Sequence, residues 1–384
     1  MEHATGRLLL VTHYYPAHGG GIEMVAGEIA TRLLASGRFH IEWHASNSDC
    51  APSVPGLTTR PAWAWNCVER KLGIPYPIWS PAAMLRLAKA VYRSDSIHIH
   101  DALYLANVTA AWLAIWLQKR LVITQHIGVI PYRNLALRLL HGIANRWVAV
   151  PVLRRSQVAT FVSPVVQAYF EDLAGGLPRA RLVPNGVDHQ LFRPPFDELE
   201  RRSSRAELDA NNDRPAILFV GRHVERKGLE LVESLARSTP DWIWYLIGEG
   251  PIDPDDWDLP NVKALGRMGQ TQLAGFYRAC DILVLPSVGE GFPLVVQEAM
   301  SCGLMPAVDI EVAAAGEIPD GLILSESVMH EDAADRWLEL MSAFIEQPPS
   351  ARQMQSDRIA EFARKAWSWH RVATEFESLL LSSD

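Results

Sequence analysis

The chain has 384 residues, 48% of them hydrophobic and 21% charged, with a formal net charge of −8. That length exceeds one ordinary hydrophobic core and points to two domains, and the composition excludes a disordered, fibrous or membrane-embedded chain. The four cysteines (Cys50, Cys67, Cys280, Cys302) form no CxxC pair and no metal-ligand spacing, which suits buried thiols in a reducing compartment.

Charge is unevenly placed. The first 185 residues hold 18 Lys and Arg against 10 Asp and Glu, and the remainder holds 18 against 34. A basic first half suits a surface that meets anionic lipid or a diphosphate-linked acceptor, with a chance distribution of solvated charge as the alternative. No nucleic-acid partner is expected.

In chain order, Arg7–Thr12 is a short β-rich run entering the loop His18-Gly-Gly-Gly21. A signal peptide would need a longer apolar run and a small-residue cleavage site, so a cytoplasmic protein is expected. The glycine loop lets backbone approach a phosphate with no Cβ in the way, although its spacing is not the Gly-x-Gly-x-x-Gly dinucleotide fingerprint. A helix follows, with apolar Val25, Ile29, Leu33 and Leu34. Further strands are predicted at His40–Ala45, Ile97–Ile99, Leu121–Thr124, Ala159–Val162 and Arg181–Val183, separated by helices around 84–93, 105–118, 134–149 and 164–172. The longest apolar helix candidate, Val108–Leu117, is about half of the ~20 residues that cross a bilayer.

Three histidines end or follow these strands. His98 and His100 lie two apart and share a strand face, and His126 sits in the next strand's exit loop. No third ligand at helical spacing accompanies them, which argues against metal. His126 is the candidate for chemistry, against the reading of a hydrogen-bonded structural histidine. The segment Ile130–Arg155 combines Arg133, Arg138, Arg146, Arg154 and Arg155 with Leu, Ile and Trp147. It reads as a basic amphipathic helix suited to an anionic membrane face. A helix packing its leucines on the sheet would account for the apolar residues but not for the arginines.

The turn-rich stretch from Pro184-Asn-Gly-Val-Asp188 to Pro194-Pro195 interrupts the pattern as a linker would. The alternation then restarts, with strands at Ala216–Val220, Trp242–Ile247, Val262–Leu265 and Ile282–Leu285 and helices at Gly228–Ala236 and Thr271–Ala279. Strands rich in Val, Ile and Leu argue for parallel sheets covered on both faces, so two doubly wound domains, 1–185 and 186–364, facing each other across a cleft are expected. Ligands then bind beyond the carboxyl ends of the strands.

Two loops at those ends carry chemistry. Gly221-Arg-His-Val-Glu-Arg-Lys-Gly228 sets Arg222 and Lys227 at a strand exit, where a guanidinium and an ammonium suit a diphosphate gaining charge as a bond to it breaks. Glu290-Gly-Phe-Pro-Leu-Val-Val-Gln-Glu298 reads as a helix mouth with free amides at Gly291 and Phe292, Pro293 at the first helical position, and carboxylates for sugar and ribose hydroxyls at Glu290 and Glu298. The acidic run Asp253-Pro-Asp-Asp-Trp-Asp258 imitates a metal site but reads as a solvated loop, with Mg²⁺ as the lesser alternative.

Gly20-Gly21, Pro184-Asn-Gly-Val-Asp188, Gly221-Arg222…Lys227-Gly228 and Pro286-Ser287…Glu290…Glu298 occur in an order that resembles the retaining glycosyltransferases of family 4. That resemblance implies the GT-B fold, an α/β architecture of two Rossmann-like doubly wound domains facing across a central cleft. It implies an acceptor-binding domain 1–185, a nucleotide-sugar-binding domain 186–364 and a C-terminal helix, 365–384, crossing back to the first domain. It puts Arg222 and Lys227 on the donor diphosphate and Glu290, with the amides of Gly291, Phe292, Pro293 and Leu294, at the transferred sugar. Glu298 falls on the ribose, Gly20 and Gly21 on the phosphates, and Arg267 and Met268 at the base. It also implies His126 at the sugar's 6-hydroxyl, with Ser163 and Asn185 lining the cleft. The implied catalytic set is His126, Arg222, Lys227 and Glu290, with no metal and no cofactor beyond a UDP- or GDP-linked hexose donor, and with a lipid-linked or polysaccharide acceptor. The family's Gly-Gly pair before Pro-Glu-Ile is absent, because the chain reads Ala313-Ala-Ala-Gly-Glu-Ile318. A double displacement would want a carboxylate nucleophile about 5 Å from its partner at the anomeric carbon; the motifs offer Glu290, but the resemblance places it on sugar hydroxyls instead, so front-face substitution is expected. An epimerase or phosphorylase of the same architecture, or a non-catalytic sugar-nucleotide-binding partner, are the alternatives.

Overall fold

A computed structural model describes residues 6–72, 76–130, 134–208, 214–289 and 292–381. Arg133, Glu290 and Gly291 lie outside the described residues. The chain divides into two compact units, Met1–Gly186 with Trp369–Asp384, and Val187–Ser368.

The first unit is built on a seven-stranded sheet. Its strands are β1 (Gly6–Val11), β2 (Phe39–Ser46), β3 (Leu57–Ala62), β6 (Ser96–His100), β7 (Arg120–Gln125), β8 (Val158–Phe161) and β9 (Ala180–Leu182), in the order β3-β2-β1-β6-β7-β8-β9. Each neighbouring pair is parallel. A small antiparallel pair, β4 (Ala64–Trp65) with β5 (Ile78–Trp79), sits apart. The central strands bury both faces, as Leu8–Val11, Ile97, Ile99 and Leu121–Ile123 do, because helices cover the sheet on either side. Local signals set the helix starts: Ser80 accepts from Ala83 N at 3.2 Å ahead of Pro81, and Ser163 accepts from Val166 N at 3.3 Å ahead of Pro164.

The chain's last helix, Trp369–Leu381, belongs to this unit. Phe376 packs 4.9 Å from the His98 ring, Arg32 lies 5.3 Å over Trp369, and Arg38 pairs with Glu377.

The second unit carries a six-stranded sheet of β10 (Ala216–Val220), β11 (Ile243–Ile247), β12 (Val262–Ala264), β13 (Ile282–Leu285), β14 (Met305–Val308) and β15 (Leu324–Ser325). The order is β12-β11-β10-β13-β14-β15, again all parallel, so strand order reverses beside β10 in the manner of doubly wound sheets.

The differences from the sequence expectation have local causes. Strand β3 carries Thr58, Thr59, Arg60 and Pro61, the polar, proline-bearing content of an edge strand, so no apolar run marks it. Strand β14 is four residues with Pro306 inside. The helix expected over 134–149 is Leu135–Ala144, then a π-helical turn, Asn145–Ala149, then Val150–Arg155. Pro151, which has no N–H to give the preceding turn, explains the widening. Pro293 is the N-cap of helix Leu294–Ser301 rather than its first residue, since its ψ of 134° is extended. Among the described residues no helix is long and apolar enough to cross a membrane.

Gly186 faces the returning chain so closely that a Cβ there would stand within 2.6 Å of the Trp369 backbone and ring. Gly186→Ala is expected to lower stability by about 1–3 kcal/mol through overpacking. Urea unfolding checks this, and an unchanged midpoint would show that the contact is not tight.

Candidate active site

In the second unit the loops leaving β10, β11, β12 and β13 share one edge of the sheet, because parallel strands send all their exits the same way. Backbone bonds join them: Gly221 N to Ile247 O at 2.9 Å, Gly248 N to Gly266 O at 2.8 Å, His223 N to Glu249 O at 2.9 Å, and Val288 N to Arg226 O at 3.1 Å. Gly228 makes the close approach to the β13 exit. Its φ is +73°, and any Cβ would collide with the Pro286 carbonyl, so only glycine permits this contact. Lys227 closes a single 3₁₀ turn, and its side chain folds back until Cε lies 3.6 Å from where a Gly221 Cβ would be. That brings its ammonium stem to the strand exit that also carries Arg222. Both side chains are half-buried.

Helix Leu294–Ser301 opens on the same edge, with no acidic residue in its first turn. Its first-turn amides point toward the edge without a carboxylate of their own, as an anion site requires. Phe292, just before it, is buried against Trp367 at 5.2 Å. The Ala313–Ile318 stretch, which departs from the family pattern, puts Gly316 where a Cβ would strike the Phe292 ring. Glu298 is buried and accepts from Tyr277 Oη at 3.1 Å. Burial pushes the Tyr277 phenol well above its usual range and the Glu298 charge pushes it further, so Tyr277 stays a donor. Ser287, fully buried after β13, has a hydroxyl with no partner among the described residues. Arg267 is exposed and lies 3.5 Å from Glu249, and Met268 packs against the apolar core.

In the first unit a buried polar cluster gathers at the exits of β1, β6 and β7. His13 Nε2 lies 2.8 Å from Glu23 Oε1, with both side chains buried, and the His13 ring stacks on Tyr104 at 3.9 Å. Burial pushes the Glu23 carboxyl up, but the charge and hydrogen bond of His13 outweigh it and hold the carboxyl below its usual range. Glu23 reaches back over the start of helix Gly21–Ala35, where a Cβ on Gly20 would collide with its carboxylate. The Gly20–Gly21 turn therefore already has an acidic neighbour.

His100 Nδ1 lies 2.9 Å from His126 Nε2, and His98 Nε2 lies 2.7 Å from Thr124 Oγ1. Burial pushes the His98 and His126 imidazoles down to about 3 and lowers His100 as well. All three are neutral near pH 7, so each ring has one donor and one acceptor nitrogen. Asp101, at φ +63°, accepts from His126 N at 2.8 Å, and burial pushes its carboxyl up to about 6. Asn107 braces this corner by donating to the His100 and Asp101 carbonyls. A neutral His126 can bind a hydroxyl but carries no proton to give as an acid. Ser163 spends its hydroxyl on the cap already described, and Asn185 is buried.

Of the arginines of 130–155, Arg146, Arg154 and Arg155 have structural partners within the described residues. Arg146 donates to Leu173 O at 3.0 Å and Arg154 to Ala174 O, both at the C-terminal end of helix Pro164–Ala174, where cations oppose the helix dipole. Arg155 lies over the Trp112 ring at 5.4 Å. What stays uncovered is apolar. Leu135, Leu139, Leu140, Ile143 and Trp147 are between 47% and 71% exposed, and helix Leu135–Ala144 buries none of its residues.

Sequence reasoning singled out Arg222, Lys227, Glu298 and His126 but not Tyr277, His13, Glu23 and Asp101, which the structure sets beside them or in the same polar cluster. A carboxylate two residues into a glycine-opened helix is a signal for Glu23. Tyr277 offers none, since only packing brings it to Glu298. Among the described residues no group of three or more His, Cys, Asp and Glu is placed to hold a metal ion.

Comparison with known proteins adds to this geometry. The family model described as Glycosyltransferase Family 4 matches residues 19–191, and that described as Glycosyl transferases group 1 matches residues 214–343. The sulfoquinovosyl transferase of Arabidopsis thaliana is 29% identical over 254 residues, covering 63% of this chain and 42% of that protein. A GDP-mannose-dependent monoacylated phosphatidylinositol monomannoside mannosyltransferase of Corynebacterium glutamicum is 24% identical over 267 residues, covering 63% of this chain and 68% of its own. The chain thus spans less than half the length of the first and about two thirds of the second. Among solved structures, sucrose-phosphate synthase from Thermosynechococcus elongatus superimposes with a TM-score of 0.77 at 20% identity, covering 97% of this chain and 98% of that one. The Anabaena protein HepE in complex with UDP and glucose gives 0.76 at 16% identity, covering 98% and 100%. At such identities these likenesses concern the fold.

The histidine cluster makes stability depend on pH. His98, His100 and His126 have folded pKa values below their unfolded ones, so stability is lost as pH falls below about 6.5, by about 1.4 kcal/mol per pH unit for each fully engaged group. Asp101 is raised to about 6, so it opposes the trend between about pH 6 and 4, where the folded state takes up a proton first. The net expectation is acid destabilisation from pH 7 toward pH 4. Thermal melts across that range check it, and His98→Asn is expected to flatten the slope.

Proposed function

Because the chain belongs to the glycosyltransferases of family 4 and has their GT-B fold, we propose that it transfers a hexose from a UDP- or GDP-linked donor to a lipid-linked or polysaccharide acceptor, with retention of configuration. One observation carries this reading. The loops of β10 and β13 in the second unit interlock, so that Arg222, Lys227 and the amide-lined mouth of helix Leu294–Ser301 share one sheet edge with buried Glu298. Fixed cations and amides aimed at one place suit a departing diphosphate, whose charge grows as the bond breaks.

Arg222 and Lys227 take the diphosphate and Glu298, held by Tyr277, takes the ribose. The exposed Arg267 and Met268 loop receives the base. Phe292, Pro293 and Leu294 frame the sugar, together with Glu290 and Gly291 from outside the described residues. In the first unit, neutral His126 offers a hydrogen bond to a sugar hydroxyl, and Gly20, Gly21 and Asn185 contribute backbone and amide contacts. The carbon–oxygen bond to the diphosphate breaks while the acceptor oxygen bonds to the same carbon from the same face. The acceptor's proton passes to the departing phosphate oxygen. The two cations supply the charge that a divalent metal supplies in other transferases, so activity is expected to persist in EDTA.

The relative named for a phosphatidylinositol acceptor supports a membrane contact, and the uncovered stripe Leu135, Leu139, Leu140, Ile143 and Trp147, with Arg138 beside it, is the surface proposed for it. The work is assigned to the apolar stripe, since Arg146 and Arg154 are engaged within the fold.

Three outcomes are expected. UDP or GDP at a hundredfold excess over its Kd stabilises the protein by about 2.7 kcal/mol in a thermal-shift panel, and indifference to every nucleoside diphosphate would sink the assignment. Arg222→Gln or Lys227→Gln lowers kcat by roughly 10²–10³, whereas a covalent sugar trapped on the Glu290→Gln enzyme would replace the single-step route by a double displacement. Leu139→Glu with Leu140→Glu reduces cosedimentation with phosphatidylglycerol vesicles at least about tenfold, because two side chains worth about 1.5–3 kcal/mol each leave the interface; unchanged sedimentation removes the stripe from the account.

A further inference from the structure

The second unit has a pocket at the opposite edge of its sheet from the loops assigned to the donor. It is lined by Arg201, Arg278, Arg352, Asp281, Tyr277 and Ser356, among others, with a cavity volume of about 50 Å³. Asp281 stands directly before β13, and Leu304 directly before β14, whose first residues Ile282 and Met305 are paired in register. The pocket therefore opens at the strands' amino ends. Ligands of doubly wound sheets bind at the carboxyl ends, so this is not the donor site.

Its charge is not balanced. Asp281 accepts from Arg201 at 2.7 Å, from Arg205 at 3.0 Å and from Ala216 N at 2.9 Å, and only then, at 3.5 Å, from Arg352. A carboxylate has about four lone-pair positions, and the three shorter bonds use most of them. Glu200, the other carboxylate here, takes both terminal nitrogens of Arg193 at 3.0 and 2.9 Å together with Phe196 N at 2.6 Å. Arg278 Nε is left 3.7 Å from Glu200, beyond hydrogen-bond reach. The Nε atoms of Arg278 and Arg352 are both buried without a hydrogen-bond partner among the described residues. Five guanidiniums (Arg193, Arg201, Arg205, Arg278, Arg352) thus share two carboxylates. The pocket's thiols, Cys280 and Cys302, add no negative charge, since burial pushes both well above their usual range.

Buried guanidinium N–H groups without acceptors are costly, and an anion with several oxygens satisfies them at once. Arginine's planar fork matches phosphate in particular. At about 10–15 Å³ for one water, the cavity has room for roughly three or four. That suits one phosphoryl group and is too small for a nucleotide.

We propose that this amino-edge pocket is a second anion site that takes a single phosphoryl group, as inorganic phosphate or as the phosphate of a monoester whose remainder stays outside. Tyr277 forms part of its wall and donates to Glu298, so the site has a direct mechanical link to helix Leu294–Ser301.

The test is calorimetric titration of the full chain with inorganic phosphate, and separately with a hexose 6-phosphate, against chloride at matched ionic strength. Saturable binding is expected in the unmodified protein and in Arg222→Gln, with at least a tenfold loss in Arg352→Gln and in Arg278→Gln. Equal affinity for the two probes identifies inorganic phosphate as sufficient, and tighter binding of the ester identifies the ester. Should the arginine variants fold poorly, Ser356→Asp places a carboxylate in the pocket and is expected to abolish phosphate binding while raising the melting temperature. Absence of saturable binding overturns the proposal. So does binding that survives Ser356→Asp and disappears in Arg222→Gln, which would place the phosphate at the donor edge instead.

Discussion

The contact between Gly228 and the Pro286 carbonyl is the constraint on which the second unit's chemistry rests. Strands β10 and β13 pair in parallel although more than sixty residues separate them. Parallel pairing sends both exit loops to one edge, but it does not make them touch. They touch because Gly228 adopts φ +73° and has no side chain, and because Val288 N bonds Arg226 O. Lys227, Arg222 and the mouth of helix Leu294–Ser301 take their places from that junction. A side chain at position 228 would separate the cations from the helix amides, and the convergence of positive potential would be lost.

Charge in this protein is local. The remainder of the chain beyond residue 185 is acidic, with 18 Lys and Arg against 34 Asp and Glu. Yet at the amino edge of its sheet five guanidiniums share two carboxylates. Net charge describes solubility and long-range field, whereas binding is decided within a few ångströms, inside the Debye length and in partly dry surroundings. The first unit applies the opposite rule. There His98, His100 and His126 are so deeply buried that they are uncharged: His98 bonds along Thr124 to Thr160 and His100 pairs with His126, so the rings face neutral groups.

The fold and the strand-exit loops were largely legible. Strand exits were marked by glycine, proline and charged residues at short range, as in Gly221–Gly228 and Pro286–Glu290, and short apolar runs located β10, β11 and β13. Elements without such marks went unseen. Strand β14 carries a proline, β3 is polar, and the helices Ala333–Ile345 and Pro349–Ala366 follow the last motif that invited attention. The arginines between 138 and 155 read as a membrane face, and two of them, Arg146 and Arg154, also close the end of a helix that lies about twenty residues further along, which no local pattern marks.

The sequence by itself determined which residue types stand at strand exits, since periodicity and turn chemistry act over a few neighbouring residues. From that follow two parallel-sheet units, the cationic loop at Arg222 and Lys227, and the carboxylate Glu298. Tertiary structure alone decided partners: Tyr277 for Glu298, Glu23 for His13, and the guanidinium surplus around Asp281. Those partners come from separate helices and strands brought together by core packing. A hydrogen bond between residues distant in sequence leaves no local pattern from which it can be read.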